Sequence, residues 1–146
     1  MYLDGPDATD ALGRRLGALA EPGQVVALVG DLGAGKSALA RGIARGLGLT
    51  ERIPSPTFVI ANTYTDGRIP FHHLDLYRLG DPDELEQLGL DELIAEGVSA
   101  VEWADLFPEI LPDDHLELRI VQEGEGRRVE ATPHGPRSRA LWDGVA

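Results

Sequence analysis

The segment at residues 30–37 reads Gly-Asp-Leu-Gly-Ala-Gly-Lys-Ser and contains Lys36, the single lysine of a 146-residue chain. An apolar run, Val25–Val29, precedes this segment. A run with helical periodicity, Lys36–Gly46, includes the last two residues of the segment and continues past them. A strand, a glycine-rich turn and a helix in this order are the context of a phosphate-binding P-loop. The segment therefore predicts an α/β fold in which a buried strand leads into the loop.

The residue types of this loop suit phosphate chemistry. Its glycines allow backbone conformations that point successive N–H groups inward, and the helix that follows adds the positive end of its dipole. The compact ammonium of Lys36 would reach the β and γ phosphates, and the Ser37 hydroxyl would ligate Mg²⁺. An arginine fork is too wide and rigid for this position, which accounts for the lone lysine. The predicted binding set is Gly33, Ala34, Gly35, Lys36, Ser37 and Ala38.

The charge balance and the lack of cysteine limit the possible functions. The chain has 25 acidic and 13 basic residues, for a formal net charge of −12. Because nucleic-acid binding depends on neutralising phosphates, so acidic a chain is a poor candidate for holding RNA or DNA alone, whereas basic protein partners suit it. Disulfides, thiolate metal sites and a cysteine nucleophile are excluded. With no signal-like N-terminus or membrane-length apolar run, we expect a cytoplasmic protein with one domain, residues 1–146.

Two carboxylates lie in later apolar runs and could complete a nucleotide site. A P-loop enzyme needs a second acidic group near a strand end to hold Mg²⁺ directly or through water. Glu102 lies in the run 98–103 and Asp75 in the run 71–77, and the residues alone leave both open for this role. Thr57, in the proline-containing segment 55–58, could sense the γ-phosphate or could simply start a strand.

Periodicity and turn residues predict an α/β order with antiparallel additions. An Asp-Gly pair at residues 66–67, between two β-like runs, is a hairpin signal. Asp7 or Thr9 is the expected cap of the first helix. The predicted helices are 7–20, 36–46, 82–88 and one turn within 136–146, and the predicted strands are 24–29, 57–64, 69–77, 98–103, 115–122 and 129–132.

The histidines do not predict a metal site. His72 and His73 are adjacent and would face opposite sides of a strand, which argues against a paired site. His115 and His134 stand alone in the sequence, and we expect them to be structural or surface residues. Trp103 is expected either in the core or in the wall of the nucleotide site.

Four segments in order resemble the bacterial TsaE (YjeE) family, the ATPase of tRNA threonylcarbamoyladenosine biosynthesis. They are the loop at 30–37, Ser-Pro-Thr-Phe at 55–58, His-Leu-Asp-Leu-Tyr-Arg at 73–78 and Glu-Trp-Ala-Asp at 102–105. The resemblance covers nearly the whole chain, and four ordered motifs are far more specific than the loop alone. Ser37 stands where the family usually has threonine, which preserves the Mg²⁺-ligating hydroxyl.

The resemblance implies a P-loop NTPase fold, three-layered with a mainly parallel central sheet, that binds ATP or ADP with Mg²⁺. It also implies weak ATP hydrolysis alone and work with TsaB and TsaD proteins, which carry threonylcarbamoyl onto adenosine 37 of tRNAs reading ANN codons. The chain would then reach tRNA only through the complex. Carried over by position, the catalytic residues would be Lys36, Asp75 and Thr57, the metal ligands Ser37 and Glu102, and a further nucleotide contact Thr9.

A small-molecule P-loop kinase is the alternative from another class. Such an enzyme needs an acceptor pocket and usually an arginine-bearing lid, and the pairs Arg14-Arg15 and Arg127-Arg128 lie in no long insertion. A GTPase is disfavoured because the chain has no Asn-Lys-x-Asp motif for reading guanine. A third interpretation is a non-catalytic, nucleotide-dependent switch within a complex, and it overlaps with the TsaE-like interpretation.

The sequence places no arginine where it would evidently stabilise a transferring phosphoryl group. Arg41 and Arg45 lie along the predicted loop helix, and Arg78 follows a predicted strand. An arginine in this role can be worth about 10³ to 10⁵ in rate. We therefore expect slow hydrolysis by the chain alone and faster hydrolysis when a partner completes the site.

Overall fold

The computed structural model describes residues 1–31, 33–50, 61–77, 83 and 89–146 of the chain. The strands in these residues are β1 (Tyr2–Leu3), β2 (Val25–Val29), β3 (Ala61–Tyr64), β4 (Phe71–Asp75), β5 (Val98–Glu102), β6 (His115–Glu123) and β7 (Gly126–His134). Together they form one seven-stranded sheet in the order β1–β7–β6–β2–β5–β4–β3. The glycine-rich loop therefore leaves β2 at the centre of the sheet.

The sheet is parallel at its centre and antiparallel at its edges. Strands β6, β2, β5 and β4 pair in parallel, whereas β7 and β1 on one side and β3 on the other pair antiparallel. The expectation of a mainly parallel sheet is thus correct only for these four strands, and the whole sheet is mixed. The reason is local for β3 and β7, because β3–β4 and β6–β7 are joined by short connections that favour antiparallel pairing. Strand β1 instead pairs with β7 from the opposite end of the chain.

Four α-helices are described, α1 (Pro6–Leu19), α2 (Lys36–Gly46), α3 (Leu90–Glu96) and α4 (Pro136–Val145), with 3₁₀ turns at Ala104–Leu106 and Pro108–Ile110. The expected cap of α1 was wrong, because the helix starts at Pro6 with Gly5 as its cap. Proline suits the first helical position, where its fixed φ is helical and its missing N–H is not needed. Helix α4 is ten residues long rather than one turn, since Leu141 and Val145 are buried in the core.

Helices α1 and α2 cross with their backbones in contact. A Cβ on Gly13 of α1 would lie 2.7 Å from the Gly42 Cα of α2, and one on Gly17 would lie 2.9 Å from the Gly46 Cα. Real side chains do not tolerate such distances, so glycine is required at this crossing. The contact fixes α2, and with it the loop at its N-terminus, against α1.

The core has two parts, one on each face of the sheet. Val26 and Leu28 of β2 join the cluster beneath α1, α2 and α4, while Val25 and Ala27 join the cluster that contains Leu90 of α3. Alternate residues of β2 therefore face opposite helical layers, as expected for a central parallel strand. This arrangement gives the three layers that were predicted.

Most predicted elements coincide with observed ones. The hairpin at residues 66–67 is confirmed by the antiparallel pairing of β3 and β4. Strand β1 and helix α3 were not predicted, and the predicted helix 82–88 and strand residues 57–60 lie outside the described part of the chain, Asp83 excepted. In the described part, no helix has the length and apolar character needed to cross a membrane.

Candidate functional site

The carboxyl ends of three parallel strands meet beside the glycine-rich loop. In the register of the sheet, Leu28 of β2 lies opposite Glu102 of β5, and Glu102 lies opposite Asp75 of β4. Val98 and Ala100 belong to the core beneath α2, so alternation places Glu102 on that same face. Open α/β sheets bind ligands outside the carboxyl ends of their strands, and this end of the sheet is therefore the candidate site.

The loop has backbone conformations that favour glycine. Gly35, the residue before α2, has a left-handed φ of 113°. Gly30 has a φ of 151°, and a Cβ there would collide with the backbone oxygen of Ile120 in β6. The first glycine thus allows the loop to pass close to β6, and Gly35 allows the chain to turn into α2.

Lys36 is buried at the centre of the site. Its side chain is 4% exposed, and its Nζ donates hydrogen bonds to the backbone oxygens of Gly30 at 2.6 Å and Asp31 at 2.8 Å. The ammonium also lies 4.2 Å from the ring centroid of Trp103. Burial lowers the pKa of Lys36, and the nearby Glu102, Asp105, Asp31 and Asp75 carboxylates oppose that shift.

Glu102 joins the loop helix to the neighbouring strand. Its carboxylate is 3% exposed and accepts a hydrogen bond from Ser37 Oγ, 2.9 Å from Oε1 and 3.1 Å from Oε2. His73 Nε2, on β4, lies 2.5 Å from Glu102 Oε2. A carboxylate oxygen accepts hydrogen bonds, so this contact fits His73 with a proton on Nε2 that is donated to Glu102. His73 Nδ1 has no partner among the described residues.

A hard divalent cation suits these two oxygen donors. Mg²⁺ is commonly held by one or two protein oxygens, with the remaining ligands supplied by phosphates and water. The described residues contain no cluster of three or more His, Asp or Glu side chains with metal-binding geometry. Ser37 and Glu102 together offer two oxygen donors, the number that Mg²⁺ commonly takes from a protein.

Asp75 lies beside Glu102 and is partly buried, so its carboxylate is less hydrated than one on the surface. Its Oδ1 accepts a hydrogen bond from the Tyr77 backbone N–H at 3.0 Å. Burial raises the pKa of Asp75, as does the charge of Glu102, while the Tyr77 hydrogen bond, His73 and Lys36 oppose the shift. A carboxylate of this kind can accept a hydrogen bond from water or take up a proton.

Trp103 forms part of the wall of the site. Its φ of 61° makes it the one non-glycine residue with positive φ in the described chain, a conformation that costs about 1–3 kcal/mol. Its ring contacts the Lys36 ammonium and also the Tyr77 ring, whose centroid is 5.0 Å away. Trp103 packs against the core cluster that contains Leu90 as well, so both of the positions expected for it apply.

The predicted site residues separate into three groups. One group lies together at the carboxyl ends of the strands: Lys36, Ser37, Asp75 and Glu102. Around the start of α2 lie the other predicted loop residues, Gly33, Ala34, Gly35 and Ala38. Thr9 is buried in α1, where its hydroxyl donates to the Gly5 oxygen at 3.4 Å, and this contact does not connect it to the loop. Thr57 lies outside the described residues.

Sequence reasoning missed two residues of the site. His73 shares a strand face with Asp75, and that alternation was a usable signal. Arg127 of β7 donates to the loop oxygen of Ala34 at 2.8 Å, and nothing in the local sequence marks it. His115 and His134, expected to be structural or surface residues, stack with ring centroids 4.3 Å apart across β6 and β7, a structural contact that their positions in the sequence did not indicate.

Fold and site together define an α/β protein with a mixed seven-stranded sheet and a polar site at the carboxyl ends of its parallel strands. A family model described as "Threonylcarbamoyl adenosine biosynthesis protein TsaE" matches residues 3–129. The chain therefore belongs to the TsaE family.

Individual relatives agree with this assignment. The chain is 46% identical over 140 residues to the tRNA threonylcarbamoyladenosine biosynthesis protein TsaE of Bacillus subtilis, covering 94% of this chain and 87% of that protein. It is 48% identical over 135 residues to the Streptomyces coelicolor protein of the same name, covering 86% of this chain and 90% of that one. The crystal structure of Bacillus subtilis YdiB superposes with a TM-score of 0.84 at 38% identity, covering 97% and 88% of the two chains.

Proposed function

We propose that the chain is an Mg²⁺-dependent ATPase of the P-loop NTPase class, with a role in forming N6-threonylcarbamoyladenosine at position 37 of tRNAs that read ANN codons. Membership of the TsaE family supports the role in threonylcarbamoyladenosine biosynthesis. The single observation that carries the ATPase proposal is the contact of Ser37 with the buried carboxylate of Glu102, at 2.9 Å, beside Lys36. Ser37 and Glu102 would supply two oxygen ligands for Mg²⁺, and the Lys36 ammonium would supply positive charge. Phosphoryl transfer from an Mg²⁺-bound nucleotide requires both.

The chain's own residues have distinct parts in this chemistry. On binding nucleotide, Lys36 would exchange its hydrogen bonds to Gly30 and Asp31 for hydrogen bonds to phosphate oxygens. The buried ammonium would therefore have polar partners both with and without nucleotide. Ser37 and Glu102 would orient Mg²⁺, which neutralises charge that develops on the phosphates. Asp75, with its raised pKa, would position the attacking water and accept its proton.

The partners in this proposal are TsaB and TsaD proteins in the cytoplasm. Transfer of the γ-phosphoryl group gains from positive charge beyond Lys36 and Mg²⁺, and a partner commonly supplies it as an arginine. The formal net charge of −12 also disfavours direct binding to the tRNA backbone. The chain alone is therefore expected to hydrolyse ATP slowly and to reach tRNA through the complex.

Phosphate release by the purified chain, with and without Mg²⁺, tests the ATPase proposal. Lys36→Ala should remove tight ATP binding without unfolding the protein, because the Lys36 side chain bonds to the loop backbone and belongs to neither core cluster. Glu102→Gln should weaken Mg²⁺-dependent hydrolysis more than nucleotide binding. Arg41→Ala, which removes another positive side chain of α2, is the control and should leave both unchanged. Transfer of phosphate to a nucleoside or sugar instead of water would favour a kinase.

Reconstitution tests the role in the complex. TsaB and TsaD from the same organism should raise the rate of ATP hydrolysis. With an activated threonylcarbamoyl donor supplied, tRNA should acquire the modified adenosine only when the chain, both partners and ATP are present. Tight tRNA binding by the chain alone at physiological salt, or fast turnover without partners, would contradict the proposal.

A further inference from the structure

Strands β6 and β7 extend past the end of β2 and run alongside the glycine-rich loop. The last paired residue of β2 is Val29, opposite Arg119 of β6, whereas β6 continues to Glu123. In that extension, Gln122 pairs with Arg127 of β7. The hairpin thus places Arg127 next to a loop that lies about ninety residues earlier in the chain.

The side chain of Arg127 is bonded to the backbone of the loop. Its Nε donates to the Ala34 oxygen at 2.8 Å, and its Nη2 lies 3.5 Å from the Gly33 oxygen. Its Nη1 donates to the Gly126 oxygen at 3.0 Å, which fixes the guanidinium relative to its own strand. One planar cation therefore contacts two successive carbonyl groups of the loop.

The geometry of the peptide bond gives this contact a consequence for the ligand. In a planar trans peptide, the C=O and N–H groups point in opposite directions. The Ala34 carbonyl shares its peptide with the Gly35 N–H, and the Gly33 carbonyl shares its peptide with the Ala34 N–H. The Ala34 N–H already donates to the Asp31 oxygen at 3.0 Å, so of these two amides the Gly35 N–H is the one that a ligand can use. Drawing the Ala34 carbonyl toward Arg127 aims the Gly35 N–H away from the guanidinium, and the positive charge polarises that peptide, which makes its N–H a stronger donor.

We propose that Arg127 is a positioning residue for phosphate binding, which acts through the backbone of the glycine-rich loop. The proposal rests on the proposed function, since it takes that loop to be the phosphate site. Arg127 would orient and polarise the Gly35 amide without touching the reacting atoms. Its removal should weaken the binding of phosphate-bearing nucleotides by the same factor with and without Mg²⁺, because that amide would bind a phosphate oxygen in both cases.

Calorimetric titration of ADP into the full-length protein, in EDTA and in Mg²⁺, tests this proposal. Arg127→Ala should weaken ADP binding on the order of ten-fold in both buffers, the effect of about one charge-assisted hydrogen bond. Arg127→Lys should restore part of the affinity, because an ammonium can reach one of the two carbonyls, and Arg127→Gln should restore less. Arg128→Ala is the matched control, since Arg128 is the adjacent residue, bonds to Glu123 at 2.8 Å and should not affect binding.

Three results would overturn the proposal. They are unchanged ADP affinity in Arg127→Ala, a loss seen only with Mg²⁺, and an equal loss in Arg128→Ala. If Arg127→Ala unfolds, the comparison of Arg127→Lys with Arg127→Gln decides, and equal affinities of these two folded variants would refute a role for the charge. Failure of the wild-type protein to bind ADP would instead refute the proposed function, so the two failures are distinguishable.

Discussion

Replacing His73 by asparagine is expected to weaken Mg²⁺ binding while leaving nucleotide binding without metal unchanged. His73 is fully buried on β4, and its Nε2 lies 2.5 Å from Oε2 of Glu102. Ser37 Oγ lies 2.9 Å from Oε1 and 3.1 Å from Oε2 of the same carboxylate, so the histidine holds Glu102 in the orientation that meets Ser37. Asparagine is too short to reach Glu102, whereas the amide nitrogen of glutamine can occupy nearly the place of Nε2.

The magnitude follows from the one hydrogen bond that is lost. A hydrogen bond to a charged group contributes about 1.5–3 kcal/mol, and each 1.4 kcal/mol, roughly, is a factor of ten in an equilibrium constant. If the whole of that energy holds the carboxylate in its metal-binding orientation, His73→Asn should weaken Mg²⁺ affinity by about 10- to 150-fold. The range agrees with the roughly 10- to 100-fold losses typical when a residue that orients a metal ligand is removed.

The assay is an Mg²⁺ titration of ATP hydrolysis, paired with ADP binding in EDTA. His73→Gln should restore most of the Mg²⁺ affinity. His72→Asn is the matched control, because His72 is equally buried at the next position but faces the other side of β4 and bonds to Thr63 Oγ1 at 2.9 Å. An unchanged Mg²⁺ midpoint in His73→Asn, or an equal shift in His72→Asn, would refute the reasoning.

Two further predictions concern stability. Burial raises the pKa of Asp75 above its ordinary value of 3.8, so the folded state binds a proton more readily than the unfolded state, and stability falls as pH rises through that window. Asp75→Asn should therefore raise Tm at neutral pH while lowering ATP hydrolysis, with the Tm difference shrinking in strong acid; a lower Tm at neutral pH would contradict this. Gly17→Ala should destabilise by about 1–3 kcal/mol in urea unfolding, because its Cβ would lie 2.9 Å from the Gly46 Cα. Gly144→Ala meets only the flexible end of Leu19 and should not destabilise; equal effects of the two would contradict the account of the helix crossing.

The glycine-rich loop and its flanking elements could be predicted because their signals are local. The strand before the loop is apolar at every position, the glycines mark the turn, and the helical run begins at Lys36. The Asp-Gly pair of the β3–β4 hairpin is local in the same sense. Short-range backbone preferences decide such features, so they can be read without knowing what lies across the molecule.

Other local features escaped prediction because packing decides them. Helix α4 extends over ten residues since its apolar side chains meet the core, and α3 is a short helix whose Leu90 joins the second core cluster. Their stability comes from partners distant in sequence.

The sequence by itself determined which residues are candidates for the chemistry, since a lysine and a serine at the start of a helix and carboxylates at strand ends are chemical types at recognisable positions. Only the tertiary structure decided how they meet. Strand order places Asp75 and Glu102 side by side, pairs Glu102 with His73 and brings Arg127 to the loop from the far end of the chain. These contacts depend on β-pairing between distant segments, and such pairing is specified by the burial of whole strands rather than by the residues that form the site.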